Sequence, residues 1–171
     1  RKGSDPHTYS PRATQIESRA DHTLYVAIGF PFEESSLPKI TKAMKELNIV
    51  KTQAGVEFVM EAHGDHHHAD PHIWTSPRVM LKVAENTYAA LEKAYPAEDF
   101  SEGYAALVRL IKTSDSRFTD LFAGGGVKEF LVYHPSFSYF ARDYGLIQHE
   151  IERDGKEPKA SQLKEPSEMD K

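Results

Sequence analysis

The chain has 171 residues, with Lys+Arg 21 against Asp+Glu 26, a net charge of −5 and no cysteine. That length suits one medium domain or two small lobes with a real core, and a mildly acidic chain without a basic stripe argues against a nucleic-acid partner. The missing cysteines exclude disulfides, thiolate metal sites and cysteine nucleophiles, and no apolar run reaches the roughly 18 residues that cross a membrane.

The opening RKGSDPHTYSP carries no signal peptide, which fits a cytosolic chain, a mature one or a piece of something longer. TLYVAIG (23–29) is a short apolar run ahead of Phe30-Pro31, the pattern of a strand buried on both faces. SLPKITKAMKELN follows as a helix with Leu37, Ile40, Met44 and Leu47 on one face and Pro38 in its first turn. IVKTQAG (49–55) reads as a second strand.

Residues 63 to 72, HGDHHHADPH, hold five histidines in ten positions. For any single one, a solvated histidine-rich loop is the commoner reading; for the group, a metal site at one end of the run is the sharper one. No helical or strand period runs through 63–68, so a mobile loop is expected there. A helix then starts with Ser76 as its cap and Pro77 in its first turn, buries Met80, Ala84, Tyr88, Leu91 and Tyr95, and ends at Pro96.

From Ser101 to about Phe122 a longer helix repeats Tyr104, Leu107, Val108, Ile111, Phe118 and Leu121 on one stripe, and Gly124-Gly125-Gly126 stops it. At 1.5 Å per residue it reaches roughly 30 Å, enough to link two lobes. EFLVY (129–133) is a strand, FSYFARDY a short helix stopped by Gly145, and LIQHEIE (146–152) another strand. The polar tail carries a helix start at Ser161. Strands alternating with helices imply an α/β protein with mainly parallel sheets.

One internal similarity outweighs the histidine run. DPHTYSPR (5–12) and DPHIWTSPR (70–78) are the same phrase with one residue inserted. In both, a proline restricts the backbone ahead of the histidine, and Ser-Pro opens a helix just beyond. His7 and His72 therefore look like paired ligands. His134 closes a strand at its carboxyl end, where open α/β sheets bind ligands. Alone it would more often be a structural residue; with His7 and His72 as partners it joins the site. Three neutral imidazoles suit Zn²⁺, whereas Ca²⁺ and Mg²⁺ require carboxylates. Asp5 and Asp70, two residues before their histidines, fit either of two roles, orienting the rings or pairing with local backbone as turn residues, and the turn role is the commoner.

Taken together, GSDPHTYSP, the histidine-rich stretch running into DPHIWTSPR, and FLVYHPSFSYFARDYGL followed by GKEP resemble the zinc-binding solute receptors of bacterial ABC transporters, the ZnuA-like proteins, over essentially the whole chain. The resemblance implies two α/β lobes joined by a long rigid helix, with the metal between them. It places the three histidine ligands on His7, His72 and His134, and the family's histidine-rich loop, an accessory weak metal site, on His63, His66, His67 and His68. The lobes would be residues 1–99 and 126–171, with 100–125 linking them. It implies capture of Zn²⁺ in the periplasm, or outside the membrane on an anchor, and delivery to an ABC permease. Manganese receptors of the superfamily usually carry a carboxylate where this chain has His134, so zinc is favoured.

The family pattern has further elements before His7 and, after residue 171, a region with an acidic residue able to approach the metal. Both lobes are thus expected to be incomplete and the isolated chain to self-associate; the fourth ligand is left as a water or a carboxylate from elsewhere. Two other classes compete: a three-histidine zinc hydrolase or hydratase, and a histidine-rich metal buffer. Against the enzyme, no H-E-x-x-H motif is present, and Glu157 in GKEP reads as a loop or cap carboxylate before it reads as an acid–base group. The reading is a binding protein and not an enzyme.

Overall fold

The computed structural model describes residues 24–63 and 66–152. Strand β1 (Leu24–Ala27) leads into helix α1 (Pro31–Ala43), and β2 (Asn48–Lys51) pairs with β1 in parallel, Leu24 opposite Asn48. Beyond them come the hairpin strands β3 (Met60–His63) and β4 (His66–Ala69), a 3₁₀ turn (Ile73–Thr75), α2 (Pro77–Ala94), α3 (Ser101–Ala123), β5 (Glu129–Val132), α4 (Ser138–Tyr144) and β6 (Ile147–Glu150). β5 and β6 are also parallel, and β3 with β4 is the antiparallel exception. The α/β architecture with parallel strands matches the sequence expectation.

Four details differ from that expectation. The first helix begins at Pro31, not near Ser36, and contains Pro38 in its interior. Its start is fixed by Glu33, a 5 % exposed carboxylate that accepts from the amides of Gly29 (2.8 Å) and Phe30 (2.9 Å) and from the Tyr25 hydroxyl (3.1 Å). Burial, and then the Glu33 charge, push the Tyr25 hydroxyl up to about 12. β1 is not buried on both faces: Val26 is 44 % exposed beside the buried Ala27, the alternation of a strand covered on one side.

The stripes of the two long helices are also shifted. In α2 the buried positions are Val79, Val83 and Ala84, whereas Tyr95 is exposed. In α3 Ile111 is buried but Leu107 and Leu121 face outward. Phe122 turns inward instead, where Phe118, Phe122, Phe140 and Tyr144 make edge and tilted ring contacts. With 23 residues, α3 is about 34 Å long at 1.5 Å per residue. Lastly, residues 63–68 were expected to be an irregular loop, yet β3 and β4 form a hairpin in which His63 pairs with His66 and Ala62 with His67. Backbone hydrogen bonding organises these two strands without the apolar alternation that marks most strands.

The core that carries the site gathers Ile73, Val79, Val83 and Tyr139, with Ile28, Val56, Val59 and Met80 packed around it. It unites the 3₁₀ turn, α2 and α4. Polar ties reinforce that junction. Ser76 binds Asp143, Arg78 reaches the Asp143 carbonyl at 2.6 Å, Asp115 of α3 at 2.8 Å and Thr119 at 3.1 Å, and Arg142 donates to the Glu57 carbonyl at 2.8 Å.

Candidate metal centre

His72 is set by its own phrase. Pro71 keeps Asp70 out of the helical region, the 3₁₀ turn follows, and Ser76 caps α2 by accepting from the Val79 amide. Asp70 is fully buried and His72 is 7 % exposed. One oxygen of Asp70 takes both the His72 amide (2.8 Å) and the ring nitrogen Nδ1 (2.6 Å). Burial would raise the Asp70 carboxyl, but the bonds from the His72 ring and amide, with a contribution from Ser138, outweigh it and hold the carboxyl below its usual range. Asp70 therefore contacts both the local backbone and the ring, the two partners open to it in the sequence. Asp5 lies outside the described residues.

His134 lies two residues beyond β5, and its Nδ1 is 2.7 Å from Glu152 Oε2. The partnership follows from strand register. Val132 stands opposite Glu150, and the ladder continues with the Ile151 amide on the Val132 carbonyl and the Glu152 amide on the Tyr133 carbonyl. His134 and Glu152 are the next cross-strand neighbours. Sequence reading missed Glu152, because the pairing is visible only once the two strands are aligned.

A carboxylate accepts and does not donate, so each ring carries a proton on Nδ1, and a ring that is neutral then presents its Nε2 lone pair outward. The two Nε2 atoms stand 3.3 Å apart, their rings crossing at 78° with centroids 5.1 Å apart. Two nitrogens bound tetrahedrally to one Zn²⁺ at 2.0–2.1 Å would be separated by about 3.3–3.4 Å. The spacing thus fits a shared cation, and the nitrogen donors suit a borderline metal. Trp74 meets the His72 ring edge-on at 5.3 Å and stacks on Phe30 at 6.0 Å, an apolar wall beside the pair.

Of the sequence-predicted ligands, the structure brings His72 and His134 together; His7 lies outside the described residues, as do Glu157 and the Ser161 helix start. Among the described residues no group of three or more His, Asp or Glu is placed to hold one metal ion together. His63, His66, His67 and His68 belong to the hairpin by backbone. His149 pairs with Glu129 at 2.6 Å, apart from this site. Among the described residues no helix is long and apolar enough to cross a membrane.

Residues 1–169 match the family described as zinc-uptake complex component A, periplasmic. The chain is 30 % identical over 172 residues to the zinc-binding protein AdcA of Streptococcus pyogenes serotype M3 (strain ATCC BAA-595 / MGAS315), covering 87 % of this chain and 33 % of that protein. It is 27 % identical over 159 residues to the high-affinity zinc uptake system protein ZnuA of Bacillus subtilis (strain 168), covering 84 % and 50 %. A crystal structure of ZnuA superposes with a TM-score of 0.78 at 32 % identity, over 96 % of this chain and 65 % of that one. The chain therefore spans from a third to just under two thirds of these relatives. With the family matched along nearly its whole length, and with the same fold, this chain belongs to the ZnuA family of zinc-uptake components.

Proposed function

We propose that the chain captures Zn²⁺ between His7, His72 and His134 and hands it to the permease of an ABC transporter outside the cytoplasm. Residues 1–99 and 126–171 belong to two lobes and 100–125 to the helix that links them. The observation that carries this reading is the pair of Nε2 atoms 3.3 Å apart, each on a ring whose other nitrogen is held by a carboxylate. The relatives named zinc-binding or zinc uptake proteins support zinc as the cargo.

In this reading Zn²⁺ is the cargo, and the chain's own groups do four things. His72 and His134 offer lone pairs, Asp70 and Glu152 hold the rings in the tautomer that exposes them, and Trp74 limits water on one side. The bonds between α2, α3 and α4 keep the two ligands in register. The hydrolase reading is weaker, because both carboxylates near the rings are committed to Nδ1 and are poorly disposed to take a proton from a bound water.

Calorimetric titration of Zn²⁺ into the metal-free chain, with and without His134, tests the reading. One tight site is expected, lost in His134→Ala. Several weak sites of equal strength would favour a metal buffer, and an unaltered affinity in His134→Ala would remove the site.

A further inference from the structure

We infer that Tyr139 is a positioning residue for the metal site, holding the strand-end ligand His134 at its working distance from His72 through a hydrogen bond to the carbonyl of Asp70. The inference rests on the zinc-binding reading above and deepens it.

Among the described residues Tyr139 is the largest fully buried side chain, 0 % exposed, and packs in one cluster with Ile73, the residue after His72. Phenylalanine would fill that space equally well, so the hydroxyl calls for its own explanation, since a buried phenol without a partner is costly. It donates to the Asp70 carbonyl at 2.5 Å, across 69 residues of chain. Asp70 is the same residue whose carboxylate fixes both the His72 amide and the His72 ring. Tyr139 lies five residues after His134, in the first turn of α4. A continuous path therefore runs from the His134 segment through the phenol to Asp70 and on to His72.

Of the other polar ties between α4 and the rest of the protein, Ser138 beside Tyr139 also reaches the Asp70 carboxylate, and the following ones lie toward the far end. Arg142 binds Glu57, and Asp143 binds Ser76 and Arg78. They are three to four residues further on, about 5–6 Å along the helix axis. They can dock α4, but they act at a distance from the histidines. Tyr139 and Ser138 are the ties nearest to them, both end on Asp70, and of the two only the Tyr139 phenol is also part of the buried core cluster. Loss of the hydroxyl should thus leave α4 docked while loosening the spacing of the two Nε2 atoms.

The test compares the wild-type 171-residue chain with Tyr139→Phe. Zinc affinity is measured by competition with a chromogenic chelator, the ligand field by the visible spectrum of bound Co²⁺, and the fold by circular dichroism of the metal-free chain. The expected result is a roughly tenfold weaker zinc affinity, as for other partners that orient metal ligands, with altered cobalt bands and a preserved fold. A loss of stability alone would leave the cobalt bands unchanged. Zinc affinity and cobalt spectrum equal to wild type would overturn the inference. If the phenylalanine variant does not fold, a fluorinated tyrosine at 139 keeps the ring and changes only the strength of the donor; an unmoved zinc affinity there would overturn it equally. A wild-type chain without a tight zinc site would instead bring down the functional reading, and this inference with it.

Discussion

The Ser76 hydroxyl joins two helices 67 residues apart: it accepts from the Val79 amide to cap α2 and donates to the carboxylate of Asp143 in α4. Ser76 is fully buried, so water does not replace the cap bond when the hydroxyl is removed, whereas Asp143 keeps its Arg142 partner at 2.8 Å. Ser76→Ala is expected to cost about 1 kcal/mol for the cap and about 1 kcal/mol or less for the lost bond to Asp143. Thermal melting of the metal-free chain reads this as a lowered midpoint. In a double-mutant cycle with Asp143→Ala, a coupling near zero would show that the two side chains act separately.

Asp70→Ala removes the acceptor of both the His72 amide and its ring. Zinc affinity should fall by about 10- to 100-fold, the range for losing a group that orients a metal ligand. Glu152→Gln should act in the same direction and more weakly, since its His134 ring is far more open to solvent, at 41 % against 9 % for His72. Calorimetry on both variants checks the order; a larger loss of zinc affinity in Glu152→Gln than in Asp70→Ala would contradict it.

Replacing His7, His72 or His134 singly by alanine is expected to weaken zinc binding at least tenfold in each case. The His7 variant carries particular weight, because that residue enters the site through the repeated Asp-Pro-His phrase and the family resemblance and lies outside the described residues. Wild-type affinity in His7→Ala would reduce the site to the pair described above.

The remaining histidines of the run call for gentler treatment than deletion. Cutting out residues 63–68 would also remove the pairing of β3 with β4 and disturb the Asp70 amide bond to the Val59 carbonyl at 2.8 Å. Threonine at 63, 66, 67 and 68 keeps a strand-forming side chain in the hairpin. One tight zinc equivalent should persist, and any weaker additional binding should disappear. Loss of the tight equivalent on titration would move the site into the hairpin.

Much of the fold was legible because local chemistry and tertiary role agreed. The Ser76-Pro77 start and the Gly145 stop were read directly, and Gly145 has the left-handed φ of 66° that glycine tolerates. His72 and His134 were found from short-range context, a proline-fixed phrase and a strand end. The missed features are those decided across the chain. Glu33 sets the start of α1 through amides and a hydroxyl contributed by the residues before it. Glu152 reaches His134 only by strand pairing, and Tyr139 reaches Asp70 only by helix docking. In the hairpin, backbone pairing prevailed over a side-chain pattern that carried no strand period.

The parallel pairing of β5 with β6 keeps a constant offset, Glu129 opposite Ile147 and Val132 opposite Glu150, and His134 meets Glu152 at the same separation of 18. This makes the stretch from Ile147 to Glu152 tolerant of replacement but intolerant of gaps. Exchanging one exposed residue for another there leaves the count intact. Inserting or deleting a single residue inside that stretch moves Glu152 by one place along the strand, and because successive strand side chains face opposite ways, the carboxylate is carried to the far side of the sheet. The His134 ring would then lose the group that selects its tautomer, although neither it nor Glu152 had been altered.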